Sequence, residues 1–234
     1  DWSSDVCSSD LLVMGMMHFT PMVLFPPLLQ DLRGYPSSII GVLIAMRGVG
    51  NFLSFFVVAP LTRINARATL AAGLLIQAGA ALWMAQLDIN VTVRDVLWTN
   101  LIHGFGFGLA YTPMAALTFS TLKTPLLTQG NAIFSLMRML GSSVFIAVVL
   151  VVFAQSMAVA HANLATVVTP YAGIALQPWV DQFGSTATTT FQSMMNAEVS
   201  RQAAMIGYIN SFHLLMIVPA VAAPLTLFFK VERR

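Results

Sequence analysis

Ser38-Ile-Ile-Gly-Val-Leu-Ile-Ala-Met-Arg47-Gly-Val-Gly-Asn51-Phe-Leu-Ser-Phe-Phe-Val-Val-Ala59 is one apolar run interrupted only by Arg47 and Asn51. A helix needs about 20 consecutive apolar residues to cross a bilayer, and this stretch supplies them. It is continuous rather than alternating, so it does not have the strand pattern of a membrane barrel. Arg47 lies deep within it, where a charge is expensive and usually has a task. Two readings fit Arg47: a cavity-facing or partner-bonded role, or structural pairing with backbone carbonyls.

Working outward, five more stretches share this character. Leu11 to Leu29 precedes the run and ends at the polar turn Gln30-Asp31-Leu32-Arg33-Gly34-Tyr35-Pro36. Pro60 and the loop Leu61-Thr62-Arg63-Ile64-Asn65-Ala66-Arg67 follow it. Spans are then expected at about 68–87, 93–119, 132–154 and 206–229. Residues 155–205 form one long connection rich in Thr, Ser, Ala and Gln, with an interfacial helix over Thr188 to Ala204 suggested by Phe191, Met194, Met195 and Val199. The expected fold is an all-α polytopic membrane protein of six transmembrane helices.

Composition agrees. The chain is 57% hydrophobic and only 9% charged, whereas a soluble domain is about 25% charged. That excludes disorder, a coiled coil, collagen and nucleic-acid binding. The single cysteine excludes an intramolecular disulfide and a cysteine-based zinc site. Residues 1–10, DWSSDVCSSD, stand apart as a polar tail that repeats Ser-Ser-Asp, either non-native or a short native extension.

Basic residues set the orientation. With the C-terminal tail 230–234 in the cytoplasm, Arg63, Arg67, Lys123, Lys230, Arg233 and Arg234 fall inside. Arg33, Arg94 and Arg201 fall outside. The expectation is a multi-pass protein of the inner or plasma membrane, with the long connection extracytoplasmic.

Several intramembrane features invite a role. His103-Gly-Phe-Gly-Phe-Gly108 puts Gly104 and Gly108 on one helix face, where small residues admit a neighbouring backbone. Pro113 in the same helix is a kink position, as are Pro21, Pro26, Pro27, Pro219 and Pro224. Arg138 lies about six residues into its span, where snorkelling to the interface competes with function. His18, His103 and His213 are groups that titrate near neutrality, and each is equally readable as a satisfied structural residue. No acid falls inside a span, and the sequence holds no H-E-x-x-H. An intramembrane aspartyl or distinctive serine site is also missing, so no enzyme, metal site or catalytic residue is expected.

Met46-Arg-Gly-Val-Gly-Asn51, Pro60-Leu-Thr-Arg63-Ile-Asn-Ala-Arg67, His103-Gly-Phe-Gly-Phe-Gly-Leu-Ala-Tyr-Thr-Pro113 and Gln129-Gly-Asn-Ala-Ile-Phe-Ser-Leu-Met-Arg138-Met-Leu-Gly-Ser-Ser143 together resemble the C-terminal half of a major facilitator superfamily transporter. More narrowly, they are similar to the fourteen-helix EmrB/QacA-type drug:proton antiporters. Gln202-Ala through Tyr208 and Phe212 also fit. The resemblance implies that the six helices form one half of that fold, with the N-terminal half missing. It implies proton-coupled efflux of lipophilic, often cationic compounds by alternating access, powered by the proton gradient with no cofactor. Membrane lipid, a small lipophilic substrate and the missing half are the implied partners, and a periplasmic adaptor protein is left open.

Under the resemblance Met14, Met17, Phe19, Met46, Arg47, Phe105, Phe107, Tyr111 and Met114 are cavity candidates, though each is equally readable as helix packing. Arg63 and Arg67 match basic positions of a gating loop, but Thr62 stands where the family has an acid, so a charge relay there is in doubt. The rival class is a non-transporting six-helix scaffold or receptor.

Overall fold

The computed structural model describes residues 2–120, 127–167 and 189–228. They form five helices: α1 (Trp2–Arg33), α2 (Ser37–Ala85), α3 (Val93–Ser120), α4 (Leu127–Val167) and α5 (Thr189–Phe228). This corrects the expected six transmembrane helices of a major facilitator half. Among the described residues, three helices are long and apolar enough to cross a membrane: Ser37–Ala85, Thr128–Thr166 and Gln192–Thr226. The expected spans 38–59 and 68–87 both fall within α2. His18, Thr20 and three prolines lower the apolar content of α1, as Thr99, Asn100, His103 and the glycines do that of α3.

The bounds differ elsewhere too. Residues 2–10, set apart as a tail, are helical and continuous with α1. α4 runs on to Val167, and the expected interfacial helix is the beginning of α5. The tail 230–234 lies outside the described residues.

The connections follow from local chemistry. α1 stops because Gly34 adopts a left-handed φ of 66°, which glycine tolerates without a Cβ clash. The Gly34 and Tyr35 amides then donate back to the carbonyls of Gln30 and Leu29 at 3.0 and 3.1 Å. α3 begins on a reciprocal cap. The Asp95 amide donates to Thr92 Oγ1 at 3.3 Å, and the Thr92 amide and hydroxyl donate to the Asp95 carboxylate.

α2 is 49 residues long but not straight. Asn65 leaves helical geometry (φ −157°, ψ 98°). Its side-chain oxygen accepts the amides of Arg67 and Ala68, both at 3.2 Å, and so caps the second limb. Both limbs then grip α3. A Cβ on Gly104 would meet the Arg47 backbone, and one on Gly106 would meet the Gly73 carbonyl oxygen at 2.9 Å. At about 1.5 Å per residue a straight helix would hold Arg47 and Gly73 about 39 Å apart. The limbs therefore fold back on each other around α3.

The remaining packing joins α1 to α4, α5 to α2, α4 and α1, and α1 more lightly to α2 and α3. One apolar core centres on Phe25, Leu28, Leu29, Leu43, Met84, Phe212 and Leu215. Phe25 and Phe212 contact at 5.4 Å between ring centres. In the first third of α5, Arg201 Nε donates to the Leu32 carbonyl at 3.3 Å while Nη1 pairs with Glu198.

Candidate functional site

The polar residues that the apolar runs cannot hide gather where α1, α2, α3 and α4 meet. Arg47 is 5% exposed and His103 fully buried. Arg47 Nη2 lies 2.6 Å from His103 Nδ1. A guanidinium only donates, so Nδ1 is the acceptor and a neutral His103 ring keeps its hydrogen on Nε2. This contact rests on helix packing. Gly104, next to His103, seats directly on the Arg47 backbone, and Gly50 seats on the Leu101 carbonyl.

The pair leaves donors over. Arg47 Nε and Nη1 are buried with no hydrogen-bond partner, as are His18 Nδ1 and Arg138 Nε. His18, on α1, lies across the Phe107 ring at 4.3 Å and edge-on to Phe19 at 4.6 Å. The Arg138 guanidinium stands 5.7 Å above the Phe19 ring, a cation–π arrangement. From His18 the aromatic row continues through Phe107 and Tyr111 (5.4 Å) to Phe134 on α4 (5.8 Å). Met14, Leu70, Leu74, Ala110 and Met114 pack beside it.

Negative charge is kept away from this junction. Among the residues whose side chains are described, Asp31 is exposed near the end of α1 and Asp88 is exposed between α2 and α3. Asp95 belongs to the α3 cap and Glu198 pairs with Arg201. Among the described residues no three His, Cys, Asp or Glu side chains group as a metal site.

The expected cavity residues separate into groups. Arg47, Phe19, Phe107, Tyr111 and Met114 lie at or beside the cluster, together with His103, His18 and Arg138. Met14 joins the core beside Phe107, but Met17 belongs to the core around Phe25. Met46 and Phe105 are half-buried flanking positions. Gly108 packs on the side chains of Asn51 and Ser54, and Pro113 is buried in α3. Arg63 is exposed and Arg67 half-buried, on either side of the α2 break. His213 is exposed on α5 and its Nδ1 donates to the Ile209 carbonyl at 3.0 Å, apart from the cluster.

Gln77 is not among the candidates that the sequence offers. It is fully buried with both amide atoms unpartnered, and its Cγ stands 3.0 Å from where a Gly106 Cβ would be. The signal available was one uncharged polar residue inside an apolar span. A separate hollow of about 440 Å³ opens between α4 and α5, lined by Gln155, Ser156, Asn163, Asn210 and apolar neighbours.

No family model matches the chain. Among characterised proteins it is similar to the fatty acid resistance protein FarB of Neisseria gonorrhoeae, with 25% identity over 157 residues. That stretch is 67% of this chain and 31% of the relative, so the match spans about a third of the relative's length. The apolar helices and this similarity together show a helical membrane protein built around a buried arginine–histidine cluster.

Proposed function

We propose that the chain is part of a proton-coupled resistance transporter of the EmrB/QacA antiporter kind, which exports small lipophilic compounds, long-chain fatty acids among them, by alternating access. The observation that carries this reading is Arg47, a buried guanidinium in an apolar helix with two nitrogens unpartnered. A static membrane scaffold has no use for such a group, because removing it would relieve a cost of several kcal/mol. A transporter has a use for it, since a passing ligand completes its bonding. The similarity to a fatty acid resistance protein supports the same reading.

The reading places the protein in the cell membrane with its C-terminus cytoplasmic. Lipid and the remainder of the longer protein are its partners, and no chemical step is catalysed. The test is to express the complete native reading frame in an efflux-deficient host. Raised tolerance to oleate and to lipophilic dyes, with lowered accumulation abolished by a protonophore, is the expected result. Unchanged accumulation of every compound would assign the protein to the scaffold or receptor class instead.

A further inference from the structure

We propose that Arg47 is the headgroup site for the carboxylate of a long-chain amphiphile, with the row Phe107, Tyr111 and Phe134 receiving its alkyl chain. This deepens the transporter reading, and rests on it for how the ligand arrives. It departs from that reading's family expectation of cationic substrates.

The argument begins with charge. A guanidinium taken out of water needs an anion or a full set of acceptors. Arg47 has neither: its acceptor is the neutral ring of His103. The described acids all lie at helix ends or connections, or pair on α5. A second guanidinium, Arg138, enters from α4 with its own Nε unpartnered, held over Phe19. A lipophilic cation entering here meets two like charges and no carboxylate. A carboxylate meets donors that nothing else occupies, and charge-assisted bonds to guanidinium are among the strongest available.

The tail follows from what adjoins the head. Phe107 contacts both His18 and Tyr111, and Tyr111 leads to Phe134. Met14 and Met114 flank the row. Methionine and aromatic side chains re-pack around flexible apolar groups at little cost.

The experiment uses the full-length protein in nanodiscs of zwitterionic lipid and measures equilibrium binding of radiolabelled oleate, methyl oleate and oleylamine. Oleate is expected to bind about tenfold or more tightly than either other ligand, and Arg47→Gln is expected to abolish that preference by weakening oleate far more than methyl oleate. Arg47→Lys should restore part of it. Equal affinity of the wild-type protein for the three ligands would overturn the proposal without any variant. So would an Arg47→Gln protein that keeps the preference, or one that loses oleate and methyl oleate equally, which marks a structural role. Repeating the assay with phosphatidylglycerol present separates the sources of anion: competition by that lipid would assign the site to a phosphate headgroup and overturn the fatty-acid assignment. Because binding is read without transport, loss of resistance activity and loss of carboxylate preference are distinguishable failures.

Discussion

Alanine at Gly104 would place a methyl carbon against the Arg47 backbone, 2.8 Å from its carbonyl carbon and 2.9 Å from its Cα, with the carbonyl oxygen nearer still. Carbon atoms rest at about 3.5–4.0 Å, so α2 and α3 must part by about 1 Å. Both sides of the contact are backbone, and no rotamer change relieves it. Overpacking of this kind costs about 1–3 kcal/mol. The same turn holds the Arg47–His103 contact at 2.6 Å. Lengthened by about 1 Å it no longer qualifies as a hydrogen bond, which removes a further 1.5–3 kcal/mol or so for a charged donor. Gly104→Ala is therefore expected to lose about 2.5–6 kcal/mol. Gly79→Ala is the control: it meets nothing within 4 Å and should be neutral or gain up to about 1 kcal/mol from helix propensity. Thermal unfolding of the two variants in one detergent, followed by loss of the monodisperse elution peak, compares them directly. Equal midpoints for the two would show that α2 and α3 do not meet at Gly104, and the geometry of the cluster would fall with that contact.

Further expectations concern the residues around it. Arg47→Gln and His103→Phe should be strongly non-additive, with a coupling of about 1.5–3 kcal/mol in a double-mutant cycle read by the same unfolding assay; additive effects would mean the pair does not bond. Asn65→Ala removes the cap of the second α2 limb and should cost about 0.5–2 kcal/mol, with Asn65→Asp close to wild type. Gly34→Ala meets no neighbour yet should still destabilise by about 1–2 kcal/mol, because its φ is left-handed; an unchanged melting temperature would contradict that backbone. If the proposed transport of oleate holds, then in a Cys7→Ser background Phe107→Cys should react with a maleimide faster with oleate and a proton gradient supplied than without them, whereas Ser54→Cys should stay inert in both conditions.

What the sequence discloses here is tied to local physics. Apolar runs mark helices because only an internally bonded backbone survives in lipid. They mark the membrane less well than they mark its helices: α4 and α5 continue past their apolar segments into Ser-, Thr- and Ala-rich stretches, because helical bonding does not stop where the bilayer does. The α2 turn is legible in place but not in form. Pro60, Arg63, Asn65 and Arg67 read as a loop between two spans, and the chain does turn there, but on a single non-helical residue, Asn65, rather than on a loop. Gly104 is legible as a packing residue from its spacing to Gly108. Its partner is not, since the contact with Arg47 joins residues on different helices. Arg47 stands out by its depth in an apolar run, but His103 lies 56 positions away, and nothing in the spacing pairs them. Gln77 carries no charge and so escapes a search for buried charge, although its orphaned amide is costly too.

The cluster also sits on a seam. α2 and α3 are joined backbone to backbone through Gly50, Gly73, Gly104 and Gly106, and Gly15 of α1 seats on the Arg138 carbonyl of α4 in the same manner. Contacts of that kind have one seating, and separating them exposes peptide groups. Between the α2–α3 pair and the α1–α4 pair the meeting is side chain on side chain: His18 on Phe107, and Tyr111 on Phe134. Side-chain contacts re-form in several arrangements at low cost. On the transport reading proposed above, opening would divide the cluster here, leaving Arg47 and His103 on one side and His18, Phe19 and Arg138 on the other, with α5, which packs on both α2 and α4, joining the two sides. The two guanidinium groups belong to different rigid pairs, and an anion between them would be gripped when the seam is shut and released to one pair when it opens. On the proposed transport reading, that division gives a reason for the absence of an acid from the cluster among the described residues. A carboxylate built into either pair would satisfy its arginine permanently, whereas an arginine left short of an acceptor is satisfied only by what passes through.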